Sequence, residues 1–148
     1  MTTTPPRLIK IGSNGKKLGP IAKAWPAVLD KQTGRMWVVK PIRVDNWKPE
    51  TVAKIEKKIA ALRVGGFKDW RIPTVDELFT LADRTRKTSP AINVDFFPDC
   101  PADWFWTSTS YAPSPGDYAW GVSFYSGGAY WPNRSYSGFV RAVRASQS

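Results

Sequence analysis

The sequence predicts an α+β fold: two helices packed on an antiparallel β-sheet, with long aromatic-rich C-terminal loops. Three observations carry this. Helical spacing of apolar residues is confined to the middle of the chain, from Pro49 to about Ala82. Short strand-like runs lie on both sides of it. Of the 8 Trp, 5 Tyr and 7 Phe, 14 fall between Phe96 and Phe139, interrupted by turn-forming Pro, Gly and Ser. The length of 148 residues fits one domain, 1–148, with residues 1–6 a loose Thr- and Pro-rich end.

In chain order, Arg7 to Ile11 is a short apolar and basic run closed by the turn Gly12-Ser13-Asn14-Gly15. The runs Ala24–Leu29 and Arg35–Val39 flank Asp30-Lys31-Gln32-Thr33-Gly34 and predict a hairpin. Pro49 to Arg63 is the best helix: Val52, Ile55, Ile59 and Leu62 share one face, Pro49 suits a first turn, and Gly65-Gly66 provides a left-handed stop. Lys54, Lys57 and Lys58 fall away from that face. Thr74-Val75-Asp76-Glu77 is a capping box that opens a second helix carrying Leu78, Leu81 and Ala82. Strands are expected at 104–108, 118–125, 129–131 and 139–144. In the second, Trp120, Val122 and Phe124 alternate with Gly121, Ser123 and Tyr125, and Ser126-Gly127-Gly128 is short enough to close a hairpin.

Composition narrows the chemistry. There is no His, which removes imidazole metal sites and His-based triads, and the lone Cys100 permits no intrachain disulfide and no multi-Cys zinc site. Ser108 and Ser110 have no His to activate them. Asp99 and Asp103 lie in a Pro-rich turn where Asp is ordinary, and no phosphate-binding glycine loop occurs. No enzyme, cofactor or metal is therefore expected. No apolar run approaches a membrane span, and the start Met-Thr-Thr-Thr-Pro-Pro-Arg lacks the pattern of a secretory signal. These features favour a cytoplasmic or virion-associated protein over a secreted one. The net charge of +10 is concentrated in residues 1–68, with 15 basic and 4 acidic side chains. The aromatics lie in the other half. A nucleic-acid groove interleaves the two, so nucleic acid is the weaker partner.

A set of motifs resembles one known family. Trp25-Pro26-Ala27-Val28-Leu29-Asp30-Lys31-Gln32-Thr33-Gly34-Arg35-Met36-Trp37 resembles the W-x-x-V-x-D-x-x-T-G-L-x-W opening of the DUF1566 family, named also for the C-terminal domain of the Legionella collagen-like adhesin. Asp69 to Leu78 is similar to its D-W-R-L-P-T-x-x-E-L signature, and Phe105-Trp106-Thr107-Ser108-Thr109, Ala119 to Phe124 and Val140 to Arg144 are similar to its later strands. The resemblance covers about residues 7–145. It implies a C-type-lectin-like fold, a binding module of the adhesin or phage-associated kind, and, after the adhesin, affinity for sulfated polysaccharide and a homotrimer. Relatives with formylglycine-generating activity use a cysteine pair, which Cys100 alone does not supply. Trp131-Pro132-Asn133 lacks the acidic partner of a calcium-dependent lectin site.

The function expected from these readings is ligand recognition without turnover. Tyr111, Tyr118, Tyr125, Tyr130, Trp131, Asn133, Arg134 and Tyr136 lie in one Ser- and Gly-rich stretch, the composition of a recognition surface for a glycan or a protein. Of these, Tyr125, Tyr130, Trp131, Asn133, Arg134 and Tyr136 are expected to be exposed, with Arg134 an anion contact. Trp104, Trp106, Trp120, Phe124 and Phe139 are expected in the core. One alternative is an intracellular or phage-encoded interaction protein, such as a virion component or an inhibitor of a host factor. The other is polyanion binding through Arg7, Lys10, Lys16, Lys17, Lys23, Lys54, Lys57 and Lys58.

Overall fold

Alternation within the central strands sends neighbouring residues into two different cores, which is why those strands have few exposed positions. The structure, a computed structural model, describes residues 6–145. Residues 1–5 of the predicted loose end lie outside the described residues. Along the chain the elements are β1 (Leu8–Ile11), β2 (Ala27–Asp30), β3 (Arg35–Val38), β4 (Ile42–Val44), α1 (Pro49–Ala60), a 3-10 turn (Val64–Gly66), α2 (Val75–Phe79), β5 (Trp104–Ser110), β6 (Ala119–Ser123), β7 (Ala129–Tyr130), β8 (Gly138–Val140) and β9 (Val143–Ala145).

Two sheets form. The first has the order β1-β2-β3-β9 and is antiparallel throughout; the second has the order β4-β8-β5-β6-β7. The β2–β3 hairpin pairs Asp30 with Arg35 and turns through Gly34 at φ +74°, as its polar loop predicts. In β2, Ala27 and Leu29 join one core and Val28 the other; in β3, Met36 and Val38 separate from Trp37 in the same way. In β5, Trp106 and Phe105 divide likewise. The first core contains Ile55 and Ile59 of α1, with Trp47 stacked on Trp106 at 6.1 Å. The second contains Leu78 of α2 and Phe97, Phe105 and Phe124.

The α+β class holds, with five corrections. The single antiparallel sheet expected is two sheets, the first built mainly from the N-terminal strands. Helix α1 ends at Ala60, before Arg63; Gly65 and Gly66 do adopt positive φ, but in the 3-10 turn that follows. Helix α2 is a single capped turn and a little more, because Leu81 and Ala82 lie in turns beyond Thr80. The predicted strand 139–144 is two strands in two sheets: β8 belongs to the second and β9 to the first, with Arg141 and Ala142 crossing between them. The second sheet is also not wholly antiparallel, since β8 lies parallel to β5 at Phe105 and Phe139.

Arg141 occupies the crossing and is fully buried. Its guanidinium donates from Nη1 to the carbonyls of Val38 (2.9 Å) and Val39 and from Nη2 to Cys100 Sγ (3.4 Å), and it lies 4.8 Å from the Phe97 ring. Burial lowers its pKa, and burial likewise raises that of the Cys100 thiol while the nearby guanidinium opposes the rise.

Candidate functional site

The segment Asp69–Leu78, chemically the most conspicuous, is taken up by the fold. Asp69 accepts from Arg144 Nε at 2.5 Å, and the Arg144 guanidinium lies 3.8 Å from the Phe67 ring. Trp70 is buried and donates Nε1 to the Val64 carbonyl. Arg71 binds Glu77 through two bonds of 2.7 Å and forms a backbone bridge with Val143. Glu77 also accepts from Arg35 Nε at 3.2 Å and from the Thr74 backbone N–H at 2.9 Å, completing the capping box. Hydrogen bonds from Arg71, with help from Thr74 and the positive charges, hold the Glu77 carboxyl down at about 2. Among the described residues no cluster of three or more His, Cys, Asp or Glu is placed to hold a metal.

The aromatic C-terminal end is different. Trp104, Tyr130, Trp131, Pro132 and Tyr136 line a shallow open cleft of about 270 Å³. Three of the rings have aromatic neighbours. Trp131 stacks on Tyr111 (5.2 Å between centroids, 4° between planes) and meets Trp120 edge-on at 5.3 Å; Tyr111 in turn meets Tyr118 at 6.0 Å. Tyr130 meets Trp104 edge-on at 5.6 Å. Gly128 leaves room for the Tyr130 ring, which a Cβ there would meet at 2.7 Å; Gly121, the ladder partner of Tyr130, instead leaves room for the Phe105 carbonyl, 3.1 Å from where its Cβ would lie. Tyr136 is carried by the turn in which the Asn133 side chain accepts from the Ser135 N–H. With 45% of Tyr130, 46% of Trp131 and 53% of Tyr136 exposed, the cleft presents ring faces that core aromatics do not.

The other sequence-derived residues divide. Tyr125 is exposed but sits in the β6–β7 turn, outside the cleft. Tyr111 and Tyr118 are half-buried supports. Asn133 is half-buried, not exposed, and is used by its turn. Arg134 is also half-buried and is corrected as an anion contact: its guanidinium donates to Pro115 O (3.0 Å), Trp47 O (2.8 Å) and Ser110 Oγ (3.2 Å), and burial lowers its pKa. It clamps the loop before α1 to the loop after β5. Trp106 and Phe124 are core, as expected, whereas Trp104, Trp120 and Phe139 are only half-buried. Trp104 shares a strand face with Trp106, but the short β7 edge leaves it against Tyr130 at the cleft. Trp104, Pro132 and Gly128 are the contributors that sequence reasoning missed; the Gly127-Gly128 pair beside an aromatic run was the available signal.

Of the basic set, Lys16, Lys17, Lys23, Lys54, Lys57 and Lys58 are exposed. Lys10 is not: it is buried, its Nζ donates to Pro20 O (2.8 Å) and Ala22 O (2.9 Å), and it lies 3.9 Å from the Trp25 ring centroid. Arg7 is engaged with the Asp30 carboxylate through two bonds and with the Thr80 carbonyl. Both are removed from a polyanion surface.

Fold and site together define a small α+β domain that presents an aromatic face beside its C-terminal strands. Residues 26–144 match the family model of the Lcl C-terminal domain, and the chain belongs to that family. It is the family already suggested by the Trp25–Trp37 and Asp69–Leu78 motifs, and an adhesin-like binding role is consistent with it. A comparison with curated proteins gives no match.

Proposed function

We propose that the protein is a non-catalytic recognition module whose ligand, a glycan or a protein, docks on the cleft of Trp104, Tyr130, Trp131 and Tyr136. One observation carries the reading: the exposed Trp131 is stacked on Tyr111 and met edge-on by Trp120, and Trp104 and Tyr130 brace each other, so this part of the face is pre-organised and loses little freedom on binding. Trp and Tyr in such a setting are the usual anchors of an interface. The C-type-lectin-like fold belongs to the same reading, supported by the two sheets and the long irregular stretch between α2 and β5.

The test is the triple variant Tyr130→Ala, Trp131→Ala, Tyr136→Ala, compared with the parent on a glycan array and in an affinity pull-down. Loss of every parent signal at a retained thermal transition is expected. Undiminished binding by the triple variant overturns the proposal.

A second reading rests on the exposed Lys16, Lys17, Lys54, Lys57 and Lys58. A sulfated polysaccharide held by these would dissociate steeply with added salt, whereas a ligand stacked on the rings would not. Titrating heparin binding at rising ionic strength separates the two.

A further inference from the structure

A second cleft lies well apart in composition from the aromatic one. It is bounded by Val38 at the end of β3, Pro41 and Ile42 at the start of β4, Leu62 and Val64 after α1, and Ala142 at the crossing between the sheets, with a volume of about 390 Å³. Its floor is apolar and reaches the first core, since Val38 is 6% and Ala142 2% exposed, with Ile42, Leu62 and Val64 packed against the same cluster. Its remaining lining residues are Lys40, Arg43 and Lys58, all exposed, and no carboxylate lines it.

The cations are not neutralised from within. Arg43 pairs with Asp45 at 2.6 Å, outside the cleft, but none of the salt bridges among the described residues involves Lys40 or Lys58. The C-terminal carbonyls of α1, which would repel an anion, are partly occupied: Arg63 Nη1 donates to Ala60 O and Leu62 O, and the backbone N–H groups of Ala61 and Leu62 bond to Lys57 O and Ile59 O. An apolar trough with ammonium groups at its rim is complementary to an amphiphile with a hydrocarbon chain and an anionic head. Lysine stems can line the trough while their heads stay at its edge.

We propose that this cleft binds a free single-chain fatty carboxylate, its chain over Val38, Ile42, Leu62 and Val64 and its head between Lys40 and Lys58. The proposal is independent of the aromatic cleft and of its ligand. Decanoate is the probe, with acetate as the head alone and decyltrimethylammonium as a chain of opposite charge. Calorimetry is expected to give one decanoate site. Decyltrimethylammonium binds at least about tenfold more weakly and acetate not at all. Amide shifts in the decanoate titration centre on Val38, Ile42, Leu62 and Val64.

The pair Lys40→Glu, Lys58→Glu is expected to weaken decanoate about tenfold or more. The pair Lys31→Glu, Lys87→Glu, exposed and outside both basic surfaces, changes net charge equally and leaves the affinity unchanged, which separates a site from general attraction to a basic protein. Three results overturn the proposal: equal loss in both pairs, equal binding of acetate and decanoate, or amide shifts elsewhere. Adsorption to phosphatidylglycerol vesicles without a decanoate site also overturns it, by assigning the cleft to a membrane surface.

Discussion

Residues 69–78 and residues 128–136 both stand out in the sequence, the first by charge and the second by rings, and the fold uses them in opposite directions. In the first, Asp69, Arg71 and Glu77 point their charges at partners from β3, α2 and β9, and Trp70 is buried. In the second, Tyr130, Trp131 and Tyr136 turn outward, and the polar groups nearby serve the turns that hold them there. The reactive-looking segment is therefore consumed by folding, and the ring-bearing segment is the exposed one. A charged tip satisfied inside the chain contributes to folding, whereas a ring with one face braced and the other bare is available for contact.

The contrast can be broken from its structural side first. Trp70→Ala leaves a void beside Phe67 and Val64 and is expected to cost about 3–5 kcal/mol in denaturant unfolding. A loss below about 1 kcal/mol would show that the Asp69–Leu78 segment does not brace the fold. Glu77→Gln removes the charge that gathers Arg71, Arg35 and the Thr74 N–H, at an expected cost of about 2–3 kcal/mol.

The same carboxylate gives a pH signature. Its folded value of about 2 lies below the ordinary 4.5. Its contribution is complete above about pH 4.5 and fades as pH falls towards 2. Thermal melts over that window should show a fall in the parent that is shallower in Glu77→Gln.

Smaller effects sharpen the other side. The triple ring variant should lose about 1 kcal/mol, from the Trp131–Tyr111 stack, while ligand binding disappears. Gly128→Ala pushes the Tyr130 ring aside at little cost in stability, so it should weaken ligand binding alone. Tyr125→Ala, outside the cleft, should change stability by less than about 0.5 kcal/mol and leave binding intact. If it reduces binding as much as Tyr130→Ala, the surface extends to the β6–β7 turn.

Local features were legible before the structure. The face of Val52, Ile55 and Ile59, the Asp30–Gly34 turn and the Thr74–Glu77 box each depend on residues a few positions apart, and each formed. The exposed rings were legible from composition. What failed was set by distant partners. Nothing near Lys10 announces that the carbonyls of Pro20 and Ala22 will surround its ammonium, and nothing near Arg134 announces the Trp47 carbonyl. Phe139 to Arg144 reads as one strand, yet two residues divert it from one sheet to the other because pairing partners, not propensity, fix sheet membership.

That diversion has a kinetic consequence. The N-terminal hairpin β2–β3 can form from adjacent residues, but its outer neighbour β9 comes from the far end of the described chain, joining Trp37 to Val143. Completion of the first sheet must await closure of a loop holding both helices and all five strands of the second sheet, which places this domain among slow-folding topologies. A newly made chain therefore carries an open β3 edge for most of its synthesis, and that edge is where misassembly with another copy would begin.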